Sequence, residues 1–419
     1  MDVLFVSAYV PSRIRVRSFN FIKALVRRGH TVALVCGATP TDGPAIDEMR
    51  SICREVVPVV MGRAAMLANT VRALPNDLPL QAAVNFAPAL EDAVRRAVAA
   101  HPYDLAHLEH LRAAALRDAL ASLPMVFDSV DSISLLFERT LRGNAQLKTR
   151  ALALLDLART RRYESRYTRS FERILVSGPD DVWALGVLAH DLGSAPADAA
   201  AQIRLIRSGV DLGYFMPQPV ERVPETLVFS GKMSYHANIA AVLFLVHEIM
   251  PLIWARRPSV RLNIVGSAPT PAVQALARDA RITVTGFVPD MRPYLAGAVV
   301  AVAPIRYGAG TLTKALEAMA VETPLVTSRL MARSTPVEDG RDALLRDSAE
   351  EYAAAVLQLL NDPALCRRLG TAGRAYIERH HNWNGNLVEA LEHVYSEVIG
   401  AGTQRAAAPR FRGLAPAGA

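Results

Sequence analysis

Short apolar runs alternate with long amphipathic stretches in this chain, and they do so in two series separated by a break. That pattern constrains the fold more than any other feature. The first series opens with "DVLFVSA" (Asp2–Ala8), a run of strand length. "VRSFNFIKALVRRGH" (Val16–His30) follows with a helical period and Gly29 near its end, and "TVALVCG" is the second strand. Further strands are predicted at "DLAHLEH" (Asp104–His110), "MVFDSV" (Met125–Val130) and "RILVSG" (Arg173–Gly178). Strands that are apolar throughout and separated by helices imply parallel sheets covered on both faces. From Ile203 to Glu225 the alternation stops. Gly209, Gly213, Pro217, Pro219 and Pro224 interrupt it, and the stretch reads as a linker. A second series then begins at "TLVFSG" (Thr226–Gly231). It continues through "VRLNIVG" (Val260–Gly266), "ITVTGFV" (Ile282–Val288), "AVVAVAP" (Ala298–Pro304) and "PLVTS" (Pro324–Ser328). Two doubly wound α/β domains in tandem are expected, the first over residues 1–207 and the second from 208. The tail from 401 to 419, rich in Ala, Pro, Gly and Arg, is expected to be disordered.

The bulk properties agree. A length of 419 residues suits two domains, and 51% hydrophobic residues supply their cores. No apolar run reaches the roughly 18 residues that span a bilayer. The N-terminal "MDVLFVSAYV" has no basic n-region or cleavage site and reads as a strand, not a leader. Cys36, Cys53 and Cys366 are scattered without metal-ligand spacing, which disfavours a disulfide framework or a zinc site and suits a reduced, cytoplasmic setting. The net charge of +7 fits nucleic acid, anionic lipid or a phosphorylated ligand, or simply an Arg-rich composition.

The densest chemistry lies in "YGAGTLTKALEAMA" (Tyr307–Ala320). A glycine loop leaves the carboxyl edge of a strand and enters a helix with Thr311 as a candidate N-cap. Open α/β sheets bind ligands at that edge. Backbone N–H groups at Gly308 and Gly310 and the helix N-terminus favour an anion, Lys314 adds a full charge, and Glu317 can accept hydrogen bonds from sugar hydroxyls. An ordinary glycine turn before a helix with a solvated Glu317 explains the same letters about equally well. Lys232, directly after a strand in "FSGKMSYHAN", can pair with the same diphosphate or be a plain surface lysine. "LKTRALALLDLARTRRYESRYTRSFER" (Leu147–Arg173) is strongly basic and helical. It reads as a solvated face or, more sharply, as a surface for an anionic bilayer.

The ordered set "GKMSYHAN", "LNIVGSAP", "VTGFVPDMRPYL", "VAPIRYGAGTLTKALEAMAVETPLVTS" and "HHNW" resembles the C-terminal domain of glycosyltransferase family 4, which has the GT-B fold. "RSGVDLGYF" (Arg207–Phe215) resembles that family's linker, and the resemblance extends to about Gly400. It implies two Rossmann-like domains facing across a cleft: an acceptor domain over 1–207 and a donor domain over 208–380. A helix over 381–400 would return to the first domain. It further implies a retaining transfer from a nucleotide-diphosphate sugar to a glycan or lipid-linked acceptor, of the kind found in exopolysaccharide pathways. No cofactor, metal or nucleic acid would take part. Lys232, Gly308, Gly310, Thr311 and Lys314 would hold the diphosphate, Glu317 the ribose, and Val288 would lie against the base.

Departures accompany the likeness. Ala309 stands where the family's first Glu of the E-x7-E motif would fall, and Asn238 where a second basic residue is common. Glu322 stands where a glycine usually ends the helix, and Ser208 where the linker has Asn. The first loop, "VPSRIRVRS", offers Arg13, Arg15 and Arg17 in place of glycines, with Arg15 set on the acceptor side. His110 and Glu109 are the candidates for acceptor activation, although His110 can equally well finish a strand, as His107 is expected to do. Asp128 is a candidate for acceptor hydroxyls, and Asp131 is expected to cap the next helix. A degenerate sugar-nucleotide-binding protein and a GT-B epimerase remain as alternatives.

Overall fold

The computed structural model of the protein describes residues 1–73, 77–84, 87–142, 147–190, 202–307 and 312–401. It divides into two compact units, Met1–Arg207 together with the chain from Leu387, and Ser208–Asn386.

The first unit is built on a parallel sheet of β1 (Asp2–Ser7), β2 (Thr31–Ala38), β3 (Glu55–Val60), β4 (Leu105–Glu109), β5 (Met125–Val130), β6 (Arg173–Val176) and β7 (Ile203–Leu205). Their order is β3-β2-β1-β4-β5-β6-β7. β1 lies inside the sheet beside the central β4, with Val3 opposite Val32 on one side and Leu105 on the other. Its residues Val3–Val6 are wholly buried, as expected of a strand covered on both faces. Helix α1 (Val16–Arg27) packs through Phe19, Phe21, Ile22, Ala24 and Leu25. Helices α2 (Arg63–Ala73), α3 (Leu80–Val84), α4 (Ile133–Arg142) and α5 (Leu147–Tyr167) follow. The second unit carries the sheet β10-β9-β8-β11-β12-β13. Its strands are β8 (Thr226–Ser230), β9 (Arg261–Val265), β10 (Ile282–Gly286), β11 (Val300–Ala303), β12 (Leu325–Thr327) and β13 (Leu344–Leu345). Helices α6 (His236–Phe244) and α7 (Thr313–Ala320) flank its central strands. The continuous helical stretch His236–Trp254 is long and apolar enough on average to cross a membrane. It belongs instead to the core, where Val242, Leu245, Ile249 and Ile253 are buried among Leu227, Phe229 and Leu262. The last helix, α8 (Val388–Ala401), packs on the first unit. Tyr395 Oη bonds His107 Nδ1 at 2.8 Å, and Glu397 accepts from Arg173 at 2.8 Å.

Three edge strands escape the sequence pattern. β3 contains Pro58, tolerated because an edge strand needs fewer ladder donors. β7 falls inside the stretch read as linker, yet Ile203 pairs with Ile174, so the linker proper starts later. β13 has only two residues. Asp131 does not cap α4. It accepts from Ser177, while the amides of Ile133 and Ser134 donate to Glu164 of α5 and that of Ser132 to Asp181. Glu322 has φ +62° at the end of α7, a left-handed position that costs a non-glycine residue about 1 kcal/mol.

Candidate functional site

In the second sheet the chain runs outward from β8 through β9 to β10, then returns to place β11 on the other side of β8. The reversal between β8 and β11 is a topological switch point, where the loops beyond two adjacent strands diverge and leave a crevice. Gly231 and Lys232 follow β8, whereas Arg306, Tyr307 and α7 follow β11. The two sets converge. Lys314 Nζ donates to Asn238 Oδ1 at 2.6 Å, and Asn238 Nδ2 donates to the Lys232 carbonyl at 2.9 Å. Asn238 is buried, so the amide fixes a lysine that would otherwise have many rotamers. Gly231 (φ +145°) leaves no room for a side chain, since a Cβ there would lie 2.9 Å from Lys314 Cε. Tyr307 stacks on His236 with ring centroids 5.5 Å apart and donates its hydroxyl to the His236 carbonyl at 3.2 Å.

Burial sets the electrostatics of this corner. It pushes the Lys314 ammonium down to about 8, against the pull of Glu317. It pushes the Glu317 carboxyl up to about 7, with Lys314 opposing the shift. A lysine and a carboxyl one helical turn apart, each strained in its charged form, are suited to an incoming anion and to hydroxyl groups respectively.

The structure thus brings Lys314, Glu317 and the Lys232 backbone together, while the Lys232 side chain is exposed. Val288 is half-buried and packs on the core around Leu295 and Met319, so it is turned inward. Its neighbour Phe287 is 75% exposed. Gly308, Gly310 and Thr311 lie outside the described residues, and the cap position of α7 falls at Leu312. Asn238, read in the sequence only as a missing charge, proves to be a positioning group. Its six-residue spacing from Lys232 was the available signal. Among the described residues no group of three or more His, Cys, Asp or Glu side chains could hold a metal ion.

The first sheet has its own switch point between β1 and β4. Tyr9 and Arg15 follow β1, and Glu109 and His110 end β4. Arg15 lies over the Tyr9 ring at 4.5 Å and donates to the Val10 carbonyl, and Tyr9 meets His110 edge-on at 5.8 Å. His110 takes φ +72° and Val130, ending the neighbouring strand, takes +67°. Two strained non-glycine residues side by side mark an edge shaped for more than packing. Burial pushes His110 down to about 3, with Arg112 adding to the shift. Glu109 is buried, accepts from Ser7 Oγ at 3.1 Å, and is pushed up to about 7 by desolvation and by Asp128. Asp128 corrects the sequence reading. It is fully buried and paired with Arg17 Nε at 2.7 Å, so its carboxylate is committed inside the unit and not offered to an acceptor. Tyr9 and Arg112 were not singled out in the sequence, because nothing in their local spacing marks the approach of one strand end to another.

This architecture, two parallel-sheet Rossmann-like units in one chain, is the GT-B fold. Residues 224–362 match the family model described as glycosyl transferases group 1. Sucrose-phosphate synthase from Thermosynechococcus elongatus superposes with a TM-score of 0.67 at 18% identity, covering 96% of this chain and all of that one. Anabaena HepE, solved in complex with UDP and glucose, gives 0.65 at 15% identity over 95% of this chain and all of its own. D-inositol 3-phosphate glycosyltransferase of Acidothermus cellulolyticus is 28% identical over 298 residues, 64% of each chain. Putative glycosyltransferase EpsD of Bacillus subtilis is 29% identical over 187 residues, 42% of this chain and 47% of its own. The chain therefore spans between about half and two thirds of these two relatives' lengths.

Proposed function

We propose that the protein is a glycosyltransferase that takes a sugar from a nucleoside-diphosphate donor bound on the second unit. The observation that carries this reading is the Lys314–Asn238–Lys232 connection at the β8/β11 switch point, with Glu317 one turn further along α7. It lies within the segment that matches the group 1 model. Lys314 and Lys232 would neutralise the diphosphate as it leaves, and Glu317 would hold sugar or ribose hydroxyls. Charge on the departing group is then met by the Lys314 ammonium that Asn238 already holds, with Lys232 joining from its exposed position, which lowers the barrier without a metal. The transfer is read as retaining, with a glycan or lipid-linked acceptor met at the Tyr9–Arg15–His110 edge of the first unit and a role in cell-surface polysaccharide assembly. The likeness to a glycosyltransferase named for D-inositol 3-phosphate supports an acceptor carrying hydroxyl groups.

Titration with UDP, GDP and ADP tests the donor half of this reading. Saturable binding should persist in excess EDTA, and its loss there with recovery on adding magnesium would overturn the metal-free part. Glu317→Ala and Lys232→Ala should each weaken binding by one to two orders of magnitude, because a hydrogen bond to a charged group contributes about 1.5–3 kcal/mol. Thermal unfolding should be nearly unchanged. Unaltered affinity in a folded double variant would refute the site. Donor hydrolysis or transfer by the parent separates an enzyme from a binding protein of the same fold.

The depressed Lys314 predicts a pH limb. Its charge, and with it the attraction for diphosphate, is present below about 8 and is lost as pH rises through that value, well before the ordinary 10.5. Affinity should therefore fall above about pH 8. In Lys314→Arg that limb should disappear, since a guanidinium stays charged. A profile flat to pH 10 in the parent would show that Lys314 does not meet the ligand.

A further inference from the structure

The imidazole of His236 is held firmly, yet no hydrogen bond reaches its ring. His236 is the first residue of α6, in the turn that also carries Asn238. One face of the ring lies on Tyr307, with centroids 5.5 Å apart and the planes 9° from parallel. Tyr235 leans on it as well, with centroids 4.6 Å apart and a tilt of 50°. The Tyr307 hydroxyl donates to the His236 carbonyl at 3.2 Å, so the loop after β11 grips both the ring and the backbone of this residue. Its hydrogen-bonding capacity is nevertheless unused. Nδ1 is buried and has no partner, and among the described residues Nε2 has none either. The buried histidines behave differently: His107 engages Nδ1 with Tyr395 Oη and His381 engages Nδ1 with the Ser208 carbonyl. A side chain that is immobilised but unsatisfied is the form a preorganised binding group takes before its ligand arrives.

Its surroundings select the ligand. His236 stands at the β8/β11 crevice. Two residues along the same turn, Asn238 holds Lys314 Nζ at 2.6 Å, and the Tyr235 amide and Asn238 Nδ2 both donate to the Lys232 carbonyl. The group that meets these two lysines is an anion. Burial pushes the imidazole below its usual value, so near neutral pH it carries one N–H and no charge. With Nδ1 enclosed, the tautomer that keeps this proton on Nε2 strands no donor in the interior and leaves it on the nitrogen that is not enclosed. We propose that His236 is a further donor-binding residue, whose Nε2–H donates to a phosphate oxygen of the nucleoside diphosphate beside Lys314, with Tyr307 as the residue that positions it. The assignment rests on the donor reading of the second unit.

Titration of the full chain with UDP and with uridine tests it (or with GDP and guanosine, or ADP and adenosine, where those bind more tightly). His236→Phe keeps a ring against Tyr235 and Tyr307 but removes both nitrogens. It should bind UDP at least tenfold more weakly. Uridine, which has no phosphate, should bind this variant as it binds the parent. His236→Gln gives up the stack but sets an amide N–H near the place of Nε2, and should recover part of the UDP affinity. Both variants should unfold close to the temperature of the parent. A stacking role alone gives the reverse order, with Phe equal to the parent and Gln impaired, and that order would overturn the assignment. So would an equal loss of UDP and uridine affinity in His236→Phe, since the imidazole would then act on the fold or on the base. UDP binding that Glu317→Ala weakens and His236→Phe leaves intact would overturn this assignment alone. A parent that binds none of UDP, GDP and ADP would overturn the donor reading and this assignment with it.

Discussion

Asp128→Asn should cost the first unit about 3–5 kcal/mol, the range for removing one partner of a buried ion pair. Arg17 and Asp128 have side chains only 5% and 0% exposed, so neither charge can turn to water. With asparagine at 128 the guanidinium keeps its two bonds to the carbonyls of Ile206 and Arg207. Those dipoles do not replace a full negative charge in a medium of low polarity. His107 cannot take over, since its Nε2 lies 3.9 Å from Asp128 and burial with the Arg17 charge beside it pushes its imidazole down to about 3, leaving it neutral. The unfolding midpoint of this unit should drop by roughly 10 °C, given a few degrees per kcal/mol for a domain of this size. Arg17→Met/Asp128→Leu tests the cause: it removes both charges and should recover most of the loss. If the single and double variants were equally destabilised, packing and not the stranded charge would be responsible.

The same pair shows where sequence reading reached its limit. Continuous apolar strands such as "DVLFVS" and "MVFDSV" are legible because burial on both faces leaves one kind of residue at every position, and both were placed to within a residue or two. Short edge strands lack that signature; β7 has three residues and β13 two. Lys314 and Glu317 were legible because a helix start fixes their spacing to each other. The function of Asp128 was not, because its partner is 111 residues away and nothing local distinguishes a carboxylate offered to a ligand from one neutralised by Arg17. Asn238 was misjudged for a related reason. Read as a charge lost, it is a bridge between Lys314 and the Lys232 carbonyl, a role visible only when α6 and α7 are side by side. Val288 and Phe287 show the converse case: of two adjacent apolar residues in the loop after a strand, one packs on the core and one is exposed, and the letters alone do not say which.

Gly266→Ala should damage both the fold of the second unit and its donor site, and the geometry separates the two effects. Gly266 ends β9 with φ +148°, and a Cβ there would lie 1.8 Å from the Gly231 carbonyl oxygen. That neighbour is backbone on the adjacent strand end, so relief requires moving β8 or β9 and not a rotamer. The unfavourable φ adds to the overlap, and together they place the cost at about 3 kcal/mol or more, among the large single-residue effects. Gly231→Ala makes the contrast. Its new Cβ would meet Asn238 Nδ2 at 2.8 Å and Lys314 Cε at 2.9 Å, which are the ends of side chains. Gly231 shares the unfavourable φ, +145°, so the two variants differ in the overlap alone: these ends can swing aside, at the expense of the Asn238–Lys314 bond. Gly231→Ala should therefore unfold at a temperature closer to that of the parent yet bind UDP at least tenfold more weakly. Gly266→Ala should lose several degrees of thermal stability and the affinity as well. Unfolding scans beside UDP titrations of both variants give the comparison. A Gly266→Ala protein as stable as the parent would mean that the ends of β8 and β9 yield freely. If Gly231→Ala left UDP affinity intact, the Lys314–Asn238 bond would have no part in holding the diphosphate.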